Sequence, residues 1–247
     1  MRKLSPTKAI AHAVNSLVMY RAVALRIGLA WIPVLLVLSA MQIFVGQPDP
    51  QSLELNAFAI VQIASAAVTL IAFSSMAVSW HRFILRDEAA PALRLDSLVL
   101  RYAGNLLLIM LIAMVPAVIG LVLMPAVPLI IILLLPAFLA VAAAVPRLSI
   151  KLPAVALGNA DFTFKDAWAS GAGNFWQFLG VFLLNAAIAL AALLMVILVL
   201  GGIGQISFAA AQAVAVVADA MLTLFLMLFS ASIYTSLYGF FVERRDF

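Results

Sequence analysis

Asp219 is the residue best placed to do acid–base chemistry, because it is the single charged side chain deep inside a long apolar run. Counted from Ile206 at about 1.5 Å per residue, it sits roughly 20 Å along a helix, near the middle of a bilayer. An ionised carboxyl there is costly, and residues of this kind mark proton or substrate paths when they are not simply hydrogen-bonded to neighbours. At a helical turn of about 100° per residue, Gln212, Asp219, Thr223, Ser230 and Tyr234 share one stripe, which must face protein or water. Asn185 and Thr69, at similar depth in two other segments, are the expected partners of the carboxyl. Two chemistries fit this set: a neutral carboxyl donating a hydrogen bond that fixes helix packing, or a protonatable group lining a path for a solute or ion.

Other reactive residue types form no comparable set. The chain has no cysteine, which excludes disulfides, thiolate nucleophiles and cysteine-bound zinc. His12 and His81 are far apart, without a histidine or cysteine at ligand spacing, so the sequence offers no metal centre. Asp87 and Glu88 adjoin Arg82 and Arg86 and read as a solvated charge cluster. Gly201, Gly202 and Gly204 fall between two apolar segments and read as a turn rather than a phosphate cradle. No nucleophile, base and orienting group can be assembled, so the sequence points away from an enzyme and calls for no cofactor.

The elements that hold these residues follow from composition. Of 247 residues, 67% are apolar and 10% charged, against about 45–50% and 25% in soluble domains. A spanning helix needs roughly 20 apolar residues, and six segments qualify: residues 23–45, 57–80, 103–124, 126–146, 175–200 and 206–229. The expected fold is therefore all-α, a polytopic six-transmembrane-helix bundle forming one domain over residues 1–247. The prolines at 125 and 128 predict a tight hairpin. Pro33, Pro116 and Pro136 are expected kinks. Some twenty residues precede the first segment, whose apolar core exceeds that of a signal peptide, so it is expected to remain in the mature protein.

All fourteen lysines and arginines fall in the N-terminal region, the second-to-third and fourth-to-fifth connections, and the tail. The three opposite loops carry none. By the positive-inside bias, both termini are cytoplasmic. Four tyrosines and Trp80, Trp168 and Trp176 cluster toward that side, as interfacial anchors do. The basic excess is thus explained by topology and by anionic inner-leaflet lipid, with nucleic acid a distant alternative and not an expected partner.

On the cytoplasmic side three stretches, about 6–18, 91–102 and 161–170, are expected to be interfacial amphipathic helices. In the first, Ile10, Val14 and Leu17 oppose Lys8, His12 and Asn15, behind a Ser5–Pro6 start. In the second, Leu93, Leu95 and Leu98 mix with Arg94, Asp96 and Arg101. In the third, Phe162, Phe164 and Trp168 flank Lys165 and Asp166. Each precedes an odd-numbered span, giving a surface helix plus hairpin three times at a spacing of about 75 to 80 residues. Alanines crowd the fourth, fifth and sixth spans, where small residues permit close helix approach.

Residues 146–180 contain Leu152-Pro153-Ala154-Val155-Ala156-Leu157-Gly158, then Phe164-Lys165-Asp166-Ala167-Trp168, then Gly173-Asn174-Phe175-Trp176-Gln177-Phe178-Leu179-Gly180. This pattern resembles one in bacterial six-span proteins. They include the membrane domain attached to some glycerophosphodiester phosphodiesterases and related stand-alone membrane proteins of uncharacterised function. The resemblance implies a membrane module and carries over no catalytic residue. The sequence thus points to a non-enzymatic inner-membrane module, a scaffold or helper in membrane or envelope organisation with the bilayer and other membrane proteins as partners. The alternative is a small secondary transporter or channel using Asp219.

Overall fold

A computed structural model describes residues 2–44, 57–123 and 130–246. Among them are ten helices and no strand: α1 (Pro6–Met19), α2 (Arg21–Leu29), α3 (Ile32–Phe44), α4 (Ala57–Arg86), α5 (Ser97–Leu123), α6 (Ile130–Leu148), α7 (Lys151–Ala156), α8 (Phe164–Ser170), α9 (Phe175–Ile206) and α10 (Phe208–Phe241). Five helices are long and apolar enough to cross a membrane, and α2 with α3 can supply a sixth crossing. The fold is all-α, and its apolar helices are those of a multi-pass membrane protein. In such a setting every backbone N–H and C=O must be paired inside the chain, which helices do automatically.

The long helices α4, α5, α6, α9 and α10 each pack on the next, and α10 packs back on α4, closing a ring. Helix α3 lies against α4 and α10, while α7 touches α4, α5 and α10. Leu152, Pro153, Ala154 and Ala156 of α7 are buried, so this short helix plugs one end of the ring. That end, called the base here, also holds both termini: Arg2 donates to the Phe240 carbonyl (3.2 Å) and pairs with Asp246. The opposite end is the crown.

Several expectations are corrected. The first span, expected continuous over 23–45, is broken, with α2 and α3 bent by 57°. Proline explains the position: Pro33 has no N–H and its ring would collide with the carbonyl four residues earlier, at Leu29, where α2 ends. Gly28 of α2 then seats close on α10, where an added Cβ would lie 2.7 Å from Leu224 Cδ1. The expected turn at Gly201–Gln205 is helical, since α9 runs to Ile206 and only the extended Ser207 separates it from α10. Ser207 caps α10 by accepting from the Ala210 N–H (3.2 Å). The proline hairpin at 124–128 and the loop at 46–56 lie outside the described residues. Helices α5 and α6 run through Pro116 and Pro136.

The amphipathic stretches divide. Helix α1 forms as expected, with Ser5 as its N-cap, but its buried face is Ala9, Ile10 and Ala13, seated on α9 and α10. Its small residues allow that approach, and Ser232 Oγ donates to the Ala13 carbonyl (2.9 Å). Val14, expected on the apolar stripe, is exposed. No helix forms over residues 91–96: α5 begins at Ser97, where the Asp96 carboxylate accepts from the Leu98 and Val99 N–H groups (3.0 and 3.1 Å). The repeated surface-helix unit therefore fails at its second instance. The third stretch begins at Phe164 instead of residue 161, because Thr163 and Asp166 form a reciprocal capping box. Trp168 is exposed on α8, with the Arg147 guanidinium 3.9 Å over its ring.

Candidate intramembrane polar site

The stripe on α10 leads to two separate places. Asp219 is exposed on the side of the bundle, and its Oδ2 accepts from Ser39 Oγ on α3 (2.5 Å). Ser39, not Asn185 or Thr69, is therefore its partner. After the break at Ala30–Trp31, α3 packs on α10 and brings the buried Ser39 against it. Asn185 lies on α9, and its Oδ1 is buried with no hydrogen-bond partner among the described residues. Gln212, in the first turns of α10, is half-buried toward the crown.

Thr69 and Thr223 do come together. They line a cavity of about 570 Å³ bounded by α3, α4, α5 and α10, with Gln42, Gln62, Ser65, Ser230 and Tyr234 supplying further polar groups. Phe73, Leu106, Met110 and Met227 are among the apolar residues that line the rest. Asp219 is not part of this lining, although it lies one turn from Thr223. Tyr234 stands at the floor, toward the base. Ser65 is 2% exposed, and its hydroxyl has no hydrogen-bond partner among the described residues. A buried polar group in that condition costs about 1–3 kcal/mol.

Nearer the base, the structure pairs residues that sequence reading left isolated. Successive residues of α10, Thr235 and Ser236, meet His81 and His12 respectively. Thr235 Oγ1 donates to the Ala231 carbonyl (2.8 Å), so its contact with His81 Nδ1 (2.7 Å) requires the imidazole to donate. His81 Nε2 is then an acceptor for Tyr102 OH (3.1 Å). Ser236 Oγ likewise donates to the Ser232 carbonyl (3.0 Å), so His12 Nδ1 donates to Ser236 (2.9 Å). In both pairs the hydroxyl proton is committed to backbone and the histidine is the donor. That is the reverse of what activating a nucleophile requires. These contacts staple α1, α4 and α5 to α10. Burial, followed by the charge of Arg245, holds the His12 imidazole below its ordinary range. Among the described residues no group of three or more His, Cys, Asp or Glu side chains could hold a metal ion.

The charge cluster at 82–88 is more ordered than a solvated set. Arg82 grips Glu88 with two bonds (2.7 and 2.8 Å) and donates to the Ala156 carbonyl on α7 (3.0 Å). Asp87 turns the chain with φ of 54°. A basic recess of about 130 Å³ lies nearby, lined by Arg101, Asn105, Lys151 and the 158–162 loop. Neither this recess nor the histidine staples could be found from spacing, since each depends on helices distant in sequence.

No protein-family model matches the chain, and no curated protein or solved structure matches it.

Proposed function

We propose that this chain is a non-enzymatic module of the bacterial inner membrane, with both termini cytoplasmic, that acts as a scaffold or helper in membrane or envelope organisation. The observation that carries this reading is the position of Asp219: on the outer side of the bundle and outside the cavity. A mid-span carboxyl on such a surface is costly against lipid and is relieved by a neighbouring membrane protein. The Ser39 hydroxyl holds it in place. The basic recess at Arg101 and Lys151 suits anionic inner-leaflet headgroups, a second contact between module and membrane. The likeness of residues 146–180 to bacterial membrane modules agrees with this.

A second reading, a small secondary transporter or channel, is favoured by the same carboxyl if it gains and loses a proton. The two part on Asp219→Asn and Asp219→Leu, compared for detergent stability, copurified membrane proteins and proton-coupled uptake. Under the scaffold reading Asn keeps stability and partner, because the amide still accepts from Ser39, while Leu loses the partner. A stable Asn variant that retains its partner but loses solute uptake would establish the transporter instead.

A further inference from the structure

We infer that the cavity between α3, α4, α5 and α10 is a binding site for a neutral lipid, one whose uncharged head carries a hydroxyl or carbonyl. The inference stands independently of the scaffold reading, since it uses neither Asp219 nor a protein partner.

The lining supplies hydrogen-bonding groups without a charge. Gln42, Gln62, Ser65, Thr69, Thr223 and Ser230 line the space, and among the described residues no Asp, Glu, Lys or Arg joins them. A phosphate or ammonium drawn into such a place would have no counter-charge, and burying an unpaired ion in hydrocarbon is prohibitive. An empty apolar ligand pocket would carry few polar groups, whereas this one carries many, and a polar head that can donate and accept would match them. Ser65 is the specific sign of an occupant: its hydroxyl is buried within the lining and has no partner among the described residues, so a head group reaching it would supply the missing bond.

Geometry indicates the route. Gln42 and Met110 at the margins are exposed among the described residues, while Ser65 lies deep. The opening is thus on the side of the helices, and α7, packed on α4, α5 and α10, closes the base. From Gln62 to Phe73 the lining follows α4 for about 16 Å, at roughly 1.5 Å per residue. That accommodates a head group and the first part of a chain. Phe73, Leu106, Met110 and Met227 form the apolar remainder, and the methionines adapt to a flexible chain. The volume of about 570 Å³ falls within the range of small-molecule sites, about 300–1,000 Å³.

The test uses the full chain in nanodiscs and a diacylglycerol carrying a photoreactive group near its head. Labelled peptides should map to α4 and α10 around Thr69 and Thr223. Unlabelled diacylglycerol should compete, whereas phosphatidylglycerol and free glycerol should not. Gln62→Leu combined with Thr69→Val should reduce labelling at least tenfold while leaving the melting temperature within a few degrees. Ser65→Ala, which removes only the unpartnered hydroxyl, should weaken competition several-fold and keep the fold. Labelling spread evenly over lipid-facing helices such as α9 would overturn the inference. So would equal competition by phosphatidylglycerol, or competition by glycerol alone.

Discussion

The two ends of α10 have similar apolar composition and opposite surroundings. Between Met227 and Phe240 only Ser230 and Tyr234 are less than fully buried, whereas no residue before Ala220 is buried. At the base this helix is covered by α1, α4 and α7; toward the crown its neighbours leave it open, as they do much of α9. In water such an exposed surface would be untenable. Beside lipid tails, which are as apolar as leucine, it costs nothing, and helix association relies on packing and polar bonds instead. Hydroxyls, rather than hydropathy or small residues, therefore mark where α10 is held by protein: Ser232, Thr235 and Ser236 are buried at the base, whereas Ala209, Ala210, Ala211, Ala213 and Ala215 stand on the open crown half, where none is buried. The 34 residues of α10 extend to about 51 Å, beyond a hydrocarbon core of about 30 Å, a length taken up by tilt or by protrusion at an end.

The largest effect should come from the histidine staple. His81→Ala leaves a cavity and deprives Thr235 and Tyr102 of their partner, for an expected loss on the order of 3 kcal/mol in detergent unfolding. Leu198→Ala in α9, at a residue 76% exposed, should change stability by less than about 0.5 kcal/mol. Equal losses at the two sites would end the distinction between base and crown.

A smaller effect is expected at Asn174. It accepts from the Leu4 N–H (3.0 Å) and donates to the Arg2 carbonyl (3.1 Å), pinning the N-terminus. Asn174→Ala should cost about 1–2 kcal/mol and expose the first residues to protease while the long helices stay protected. An unchanged cleavage pattern would show that α1 is held by its packing alone.

The smallest is a pH effect at His12. Its folded imidazole is held below the ordinary value of 6.5, so below about that pH the unfolded chain binds more protons. Stability should then decline as pH falls from 6.5 toward the lower folded value. His12→Gln, which keeps a donor for Ser236, should remove part of that decline between pH 7.5 and 5.5. Identical pH profiles for the two proteins would exclude His12 as its source.

The helices themselves were legible because length and hydropathy suffice to define a span. Packing was less so. Pro33 was readable as an irregularity, but not the 57° bend or the partnership of Ser39 with Asp219. Thr69 was expected beside Asp219, and Thr223 on the α10 stripe, and the two threonines share a cavity, whereas Ser65, Gln42 and Gln62 went unread because an apolar segment absorbs such residues without breaking its pattern. Helix α7 was hidden by Pro153, which is tolerated near a helix start. The pairing of His12 and His81 with adjacent hydroxyls depends on α1, α4 and α10 meeting, which no local spacing encodes.

We propose that the packed base faces the cytoplasm and the open crown faces outward. Because the chain has no cysteine, single cysteines can be introduced without background. Asn159→Cys and Arg244→Cys at the base should react with a membrane-impermeant maleimide only after the cells are opened. Gln205→Cys at the crown should react in intact cells. Labelling of Asn159→Cys in intact cells, with Gln205→Cys protected until opening, would contradict the account.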